Sequence, residues 1–282
     1  MPTDSAHRFE LFSDGQQRFE DRLNERQKRI IDANLDAIAD KTVIDIAASN
    51  GRWSYAAIAA GAEKVFSIEG RPDRAAQARD YFDQLGVADQ IEADTGDMYE
   101  WLQSKASNQY DTVLCLGIFY HVMDHYMLMR RITDLHPKTI IIDSGFVRSF
   151  RNSVRIITEN PNLYSNALSV HDGQSKEVVG IVSLGLMIQM AWNFGYNCRP
   201  VIWETDDIQN KNSVHDYVTG RRFTLRLDKI EGNHDPEWKE HWKLALTALD
   251  PRFAGLLDQE LHDGLVDDTV KHPFESMEFS IF

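Results

Sequence analysis

The stretch that decides the fold is TVIDIAASNG, Thr42–Gly51, together with VFSIEG, Val65–Gly70. The first segment predicts a buried apolar strand that carries Asp45 near its end and then enters a turn of small residues. The second predicts another short apolar strand with the acid Glu69 at its end, about 20 residues downstream. Together they predict the first strand–helix–strand unit of a nucleotide-type α/β fold, in which the acid would contact two ribose hydroxyls.

The turn has small residues at alternate positions, Ala47, Ser49 and Gly51, in the pattern D-x-A-x-S-x-G. Small residues let the backbone of a turn approach a ligand closely. The pattern lacks the three glycines of a dinucleotide fingerprint, which argues against NAD, because a pyrophosphate needs an intact nest of backbone N–H groups. An ordinary turn without a ligand is the alternative.

The pattern resembles the D-x-G-x-G-x-G motif of the class I S-adenosylmethionine (SAM)-dependent methyltransferases, with the first two glycines replaced. The resemblance implies SAM as the cofactor and an α/β fold with a Rossmann-like seven-stranded sheet. That sheet is mostly parallel, ends in an antiparallel hairpin and has helices on both faces. In this family the turn holds the methionine end of SAM, so alanine and serine are compatible with it.

Strand and helix patterns alternate from Val43 to Asp143, which independently favours a parallel sheet between two layers of helices. Gln16–Lys41 has the pattern of a long amphipathic helix. A long segment follows Asp143, and the strand candidates Arg199–Trp203 and Arg221–Leu227 then predict an antiparallel pair. We predict a helical cap at residues 1–40, a SAM-binding domain at 41–230 with a substrate-shaping insertion at 144–198, and an acidic extension at 231–282.

Composition limits the partners and the compartment. A net charge of −14 and an isoelectric point near 5.1 would repel a phosphate backbone, so nucleic acid is not the expected partner, although Arg148–Arg155 is a local basic cluster. Cys115 and Cys198 lie in apolar runs and predict reduced thiols of a cytoplasmic protein. The N-terminus shows no secretory signal.

Val178–Tyr196 lacks charge, but its polar residues and glycines predict a buried helix and no membrane span.

The resemblance assigns the cofactor contacts residue by residue. Asp45 would fix the turn and reach the ammonium group of SAM, and Glu69 would accept hydrogen bonds from both ribose hydroxyls. Asp97 would lie near the adenine amino group, with Asp94 as its rival, and Met98 would supply a backbone N–H and an apolar wall. The other predicted cofactor-binding residues are Ala47, Ser49, Gly51, Trp53, Gly70, Arg71, Leu116 and Gly117.

The run Phe119–Tyr120–His121 is similar to the G-x-x-Y-H signature of many class I methyltransferases, including the tRNA wobble-uridine carboxymethyltransferase family. Methyl transfer is an in-line displacement, and a hydroxyl or ammonium acceptor also needs a base. His121 is the candidate base, with a purely structural hydrogen bond as the alternative. Tyr120 would line the pocket or orient the acceptor, and Asp143 would bind a polar acceptor or hold a turn.

We therefore predict a SAM-dependent methyltransferase that acts at an oxygen or nitrogen of a small-molecule acceptor, without a metal or a membrane partner, and we leave a homodimer open. An RNA-modifying enzyme and a non-catalytic SAM-fold binding protein are the alternatives. Arg148, Arg151 and Arg155 would either grip a carboxylate or phosphate of the substrate or form a solvated basic face.

Overall fold

The computed structural model describes residues 11–12, 17–106, 108–163, 165–166, 168, 173–204, 206, 208–232, 235–253 and 255–262. The acidic tail beyond residue 262 and residues 1–10 of the predicted cap lie outside the described residues.

The described strands, in chain order, are β1 Thr42–Ile46, β2 Lys64–Glu69, β3 Ile91–Thr95, β4 Thr112–Leu116, β5 Thr139–Gly145, β6 Val154–Glu159, β7 Glu177–Val182, β8 Tyr196–Pro200 and β9 Arg222–Lys229. The described helices are α1 Gln17–Ile30, α2 Leu35–Ile38, α3 Arg52–Ala59, α4 Pro72–Gln84, α5 Met98–Lys105, α6 His125–Thr133, α7 Leu184–Asn193, α8 His215–Val218, α9 Trp238–Leu249 and α10 Leu256–His262. None of the described helices is long and apolar enough to cross a bilayer.

Seven strands form one sheet in the order β3-β2-β1-β4-β5-β9-β8, and β6 pairs with β7 in a separate hairpin. Strands β1 to β5 pair in parallel, whereas β9 is antiparallel to both of its neighbours, β5 and β8. The predicted seven-stranded, mostly parallel sheet with an antiparallel end is confirmed. The predicted strand Arg199–Trp203 is misplaced, however, because β8 begins at Tyr196 and ends at Pro200.

The central strands are apolar on both faces because helices cover both sides of the sheet. In β4, Leu114 belongs to the core cluster under α1, α3 and α4, while Val113 and Cys115 belong to the cluster under α5, α6 and α7. A strand buried on both faces therefore reads as a continuous apolar run.

The leading helix is shorter than predicted. Helix α1 ends at Ile30, and a 3₁₀ turn, Asp32–Asn34, separates it from α2. Asn34 Nδ2 donates a hydrogen bond to the Ile30 carbonyl at 2.9 Å, which satisfies one of the terminal carbonyl groups that helix α1 leaves unpaired.

The uncharged stretch Val178–Tyr196 is a strand followed by a helix, so the prediction of one continuous helix is wrong. The β-branched run at its start pairs with β6 as β7, and Ser183 then caps α7 by accepting a hydrogen bond from Leu186 N at 3.2 Å. The β6–β7 hairpin lies within the predicted insertion. Gly180 N donates a hydrogen bond to the Val122 carbonyl at 3.0 Å, which joins the hairpin to the loop after β4.

Helix α9, in the segment predicted as an acidic extension, packs into the core. Trp242 is fully buried, and its ring lies 5.5 Å from the Phe150 ring and 6.1 Å from the Phe223 ring, centroid to centroid.

Candidate active site

A cavity of about 1290 Å³ lies at the carboxyl edge of the sheet, where the loops after β1, β2, β3 and β4 meet. The carboxyl ends of parallel strands share one edge, which is where open α/β sheets bind ligands. Pockets for one small ligand measure roughly 300–1,000 Å³, so this cavity is larger than a pocket of that kind. Helix α1 and the insertion complete its wall with Phe19, Arg22, Arg26, Ser165, Asn166, Leu168, Glu177 and Val178.

The turn after β1 adopts a left-handed backbone at each of its three small positions. The φ angles are 54° at Ala47, 54° at Ser49 and 80° at Gly51. A left-handed conformation costs a residue with a side chain about 1–2 kcal/mol, whereas glycine adopts it freely. A Cβ on Gly51 would also lie 2.2 Å from Phe82 Cζ. The turn thus keeps the shape that three glycines would give it, although only the third glycine is present.

Glu69 closes the turn from the end of β2. Its Oε2 accepts a hydrogen bond from Ser49 N at 2.7 Å, and its Oε1 accepts one from Arg71 N at 2.8 Å. A carboxylate has about four lone-pair sites. The backbone fixes the orientation of Glu69 with two of them and leaves acceptor capacity on both oxygens, facing a cavity that the residue lines.

Asp45 lies behind the turn, outside the cavity wall, and is 1% exposed. Ser54 Oγ donates a hydrogen bond to Asp45 Oδ2 at 2.7 Å. Burial raises the pKa of Asp45 to about 7, with the Ser54 hydrogen bond opposing the rise and the Glu69 charge adding to it. This position suits the predicted role of Asp45 in fixing the turn.

The two rival acids after β3 lie in different places. Asp97 lines the cavity and caps α5, because its Oδ1 accepts hydrogen bonds from Tyr99 N at 2.8 Å and Glu100 N at 3.0 Å. Asp94 is outside the cavity wall and accepts a hydrogen bond from Trp101 Nε1 at 2.5 Å. The structure therefore brings Asp97 to the cavity. The remaining predicted cofactor residues that line it are Ala47, Ser49, Trp53, Gly70, Arg71, Met98, Leu116 and Gly117.

Arg71 ties the insertion to the edge of the cavity. Its Nη2 donates to three carbonyl oxygens of the insertion, those of Pro161 at 3.3 Å, Leu163 at 3.3 Å and Asn166 at 3.0 Å. Leu168 Cδ1 approaches Gly70 so closely that a Cβ there would lie 2.4 Å away. This segment therefore folds over the predicted adenosine side.

His121, which lines the cavity, forms a hydrogen-bonded pair with Glu159. His121 Nδ1 lies 2.7 Å from Glu159 Oε2, and the two side chains are 8% and 12% exposed. Burial lowers the pKa of His121 below its ordinary value, although the hydrogen bond to Glu159 opposes the shift. The neutral ring therefore donates from Nδ1 to the carboxylate and presents Nε2 as an acceptor. Tyr120 packs on this ring at 4.1 Å between centroids.

Asp143 is fully buried behind the wall and is saturated by hydrogen bonds. Arg26 Nη2 donates to it at 2.9 Å, Arg222 Nε at 2.7 Å, the Tyr217 hydroxyl at 2.7 Å and Thr224 Oγ1 at 2.8 Å. Burial alone would raise the pKa of Asp143, but Arg222 and Arg26 hold it well below its usual range. This environment favours the structural alternative over a contact with the acceptor.

Sequence reasoning missed Glu159, Arg26 and Arg222. Glu159 ends an exposed strand that no motif marks, and Arg26 stands among many charged residues of α1. The one available signal was the single Glu at the end of the VRIITE run. The three candidate arginines, Arg148, Arg151 and Arg155, are all exposed and outside the cavity wall. Across the described part of the chain, no group of three or more His, Cys, Asp or Glu side chains could hold a metal ion.

A family model described as "Methyltransferase domain" matches residues 43–136. This range runs from β1 to just beyond α6, so it contains the left-handed turn, Glu69, Asp97 and His121. No curated protein matches the chain.

Several solved structures share the fold. The N-terminal domain of EvdMO1, crystallised with SAH and D-fucose, is 17% identical over 77% of this chain and 85% of that chain, with a TM-score of 0.57. A SAM-dependent methyltransferase from Mesorhizobium loti is 12% identical over 70% and 96%, with a TM-score of 0.50. Magnesium protoporphyrin IX methyltransferase from Synechocystis PCC 6803, with bound SAH, is 14% identical over 81% and 95%, with a TM-score of 0.50.

At these identities the solved structures establish the fold, and the family match covers the stretch that carries the turn and the acids around the cavity. Residues 43–136 of this chain are thus similar to a methyltransferase domain, and the chain shares its fold with these solved structures.

Proposed function

We propose that the protein transfers a methyl group from SAM to an oxygen or nitrogen of a small-molecule acceptor. One observation carries the proposal: a single cavity of about 1290 Å³ is walled by the turn after β1, by Glu69 and by His121. That volume exceeds the roughly 300–1,000 Å³ of a pocket for one small ligand. The cavity therefore accommodates a cofactor and an acceptor side by side.

The residues around the turn fit SAM. Ala47 and Ser49 of the left-handed turn line the cavity, and Glu69 keeps acceptor capacity for two ribose hydroxyls. Asp97 is the acid we propose for the adenine amino group. When bound, SAM supplies a methyl group activated by its sulfonium sulfur.

His121 is the proposed general base. Burial keeps its imidazole neutral near pH 7, and the contact with Glu159 leaves Nε2 to take the acceptor proton. Glu159 is a positioning residue, because it fixes the tautomer and stabilises the imidazolium that forms.

Tyr120 is proposed to orient the acceptor. Its ring packs on His121, and its hydroxyl accepts a hydrogen bond from Arg222 Nη1 at 3.3 Å. Asp143 is proposed to act indirectly, because its carboxylate holds Arg222 and Arg26 in position in the cavity wall. The predicted cap at residues 1–40 and the insertion at 144–198 would cover the site, since both contribute to the wall. A cytoplasmic location stays a prediction of the sequence, and a homodimer stays open.

The experiment supplies SAM with a labelled methyl group to the protein, together with either a small-molecule extract or bulk tRNA. The proposal expects label in the small-molecule fraction, and loss of that label in His121→Ala but not in the exposed control His215→Ala. Label in tRNA alone would instead support the RNA-modifying alternative. If the protein binds SAM but neither fraction gains label, the result would support the non-catalytic alternative.

A further inference from the structure

Three arginines of the cavity wall, Arg22, Arg26 and Arg222, pair with two carboxylates that lie outside the wall. Arg22 forms a two-pronged pair with Asp216, with both N···O distances at 2.7 Å. Arg26 and Arg222, however, share the single carboxylate of Asp143. The pairs at this wall therefore leave one excess positive charge among its described residues.

This excess charge is buried. Arg26 is 7% exposed and Arg222 is 8% exposed, and Asp143 is fully buried between them. Uncompensated buried charge is costly, so proteins pair it or place it where a ligand of opposite charge binds.

Arg26 also has an unused donor. Its Nε is buried and has no hydrogen-bond partner among the described residues, whereas its Nη2 donates to Asp143. The Arg26 guanidinium lies over the Trp53 ring at 4.9 Å from the centroid, which holds the planar group in place. A planar guanidinium with a spare N–H group suits a carboxylate ligand.

The cavity wall as a whole has more arginines than carboxylates, and Arg22, Arg26 and Arg222 account for the difference, in a chain whose net charge is −14. The described residues of the wall include seven arginines but only four carboxylates, Glu69, Asp97, Asp124 and Glu177. A concave surface with an excess of one charge concentrates ligands of the other.

We infer that Arg26 and Arg222 form an anion site in the cavity that binds a carboxylate group of a ligand. The inference rests on the proposed function, because that carboxylate belongs either to the methionine portion of SAM or to the acceptor. Both sources are within reach. On the cofactor side, the Arg26 guanidinium lies over the ring of Trp53, a predicted cofactor residue. On the acceptor side, Arg222 Nη1 donates at 3.3 Å to the hydroxyl of Tyr120, the residue proposed to orient the acceptor.

The test compares two probes by calorimetry. S-adenosylhomocysteine (SAH) carries the amino-acid carboxylate, whereas methylthioadenosine has the same nucleoside and thioether without it. The proteins are the wild type, Arg26→Gln and the exposed control Arg130→Gln. If the site holds the cofactor carboxylate, Arg26→Gln weakens SAH binding at least ten-fold and leaves methylthioadenosine binding within two-fold of the wild type.

A second arm tests the acceptor as the source. Sodium acetate is compared with sodium chloride at equal ionic strength, with SAH present at saturation, and the thermal midpoint is measured. If the site holds an acceptor carboxylate, acetate raises the midpoint of the wild type and of Arg130→Gln but not of Arg26→Gln. Arg26→Lys, which keeps the charge without the planar fork, repeats both arms if Arg26→Gln does not fold.

Equal affinities of wild type and Arg26→Gln for SAH, together with no acetate effect that depends on Arg26, would overturn the inference. A wild type that binds neither SAH nor methylthioadenosine would contradict the proposed function instead. The acetate arm, then run without SAH, would still decide the anion site.

Discussion

His121 Nδ1 and Glu159 Oε2 lie 2.7 Å apart, in a contact that joins the central sheet to the insertion. His121 belongs to the 3₁₀ turn that follows β4, and Glu159 is the last residue of β6. The hairpin thereby supplies a carboxylate that orients His121, the proposed base.

The pKa of His121 tests this contact directly. Burial lowers it below the ordinary value of about 6.5, and the Glu159 carboxylate works in the opposite direction. We expect NMR titration to give a pKa below 6.5 in the wild type and a still lower one in Glu159→Gln, so the acid limb of activity moves to lower pH. Glu177→Gln, the cross-strand neighbour of Glu159, is the comparison variant. A pKa that rises in Glu159→Gln would contradict the assigned contact.

Strain in the turn predicts opposite effects for two substitutions. Gly51→Ala adds a Cβ that would lie 2.2 Å from Phe82 Cζ and forces a side chain into left-handed backbone. We expect it to lower the free energy of unfolding by about 2–5 kcal/mol. Ala47→Gly removes strain and should change this energy by only about 0–1 kcal/mol, in the stabilising direction. Urea unfolding measures both, and a destabilised Ala47→Gly would disprove the strain argument.

The raised pKa of Asp45 predicts that the free energy of unfolding falls as pH rises. Burial raises the pKa of Asp45 to about 7, above its value of about 3.9 in the unfolded chain. The folded state thus favours the protonated form of Asp45. The stability that this protonation contributes is lost as pH rises through 7. Relative to Asp45→Asn, the wild type should lose on the order of 2–3 kcal/mol between pH 5 and pH 8. The exposed Asp80→Asn serves as the control, and parallel pH profiles for wild type and Asp45→Asn would refute this account.

We predict that the contacts of Arg71 with the insertion slow the release of SAH from the cavity. Lysine has a shorter side chain, so its nitrogen would lie farther from the three carbonyl oxygens of the insertion that Arg71 Nη2 contacts. Hydrogen bonds from charged donors contribute about 1.5–3 kcal/mol, less where they are exposed, so Arg71→Lys should dissociate SAH about 3–10 times faster. Stopped-flow fluorescence measures this rate. Arg79→Lys, which also loses a carbonyl contact but outside the cavity, should match the wild type. Equal rates for all three proteins would show that the insertion does not retain the ligand.

The sheet from β1 to β5 was predictable because each signal is local. An apolar run, an acid at its end and a turn of small residues all fall within Thr42–Gly51, and β4 reads the same from sequence and structure. Gly51 could be recognised as well, since only glycine combines the left-handed φ with the space available.

The hairpin and the inner wall could not be predicted because their partners are distant in sequence. Arg26 meets Asp143 across 117 positions, and His121 meets Glu159 across 38. In β6 the side chains are mostly exposed, so its sequence lacks the clear alternation that marks a half-buried strand. The break at Ser183 was misread because the residues on both sides of it are uncharged.

Calorimetric titration with SAH, on the wild type and on Glu69→Gln, tests the cofactor site most directly. We predict micromolar binding by the wild type and by the exposed control Glu63→Gln, and at least ten-fold weaker binding by Glu69→Gln. The reason is that the amide has fewer lone pairs for the two ribose hydroxyls and the two backbone N–H groups. No heat of binding with the wild type, or equal affinities for all three proteins, would contradict this prediction.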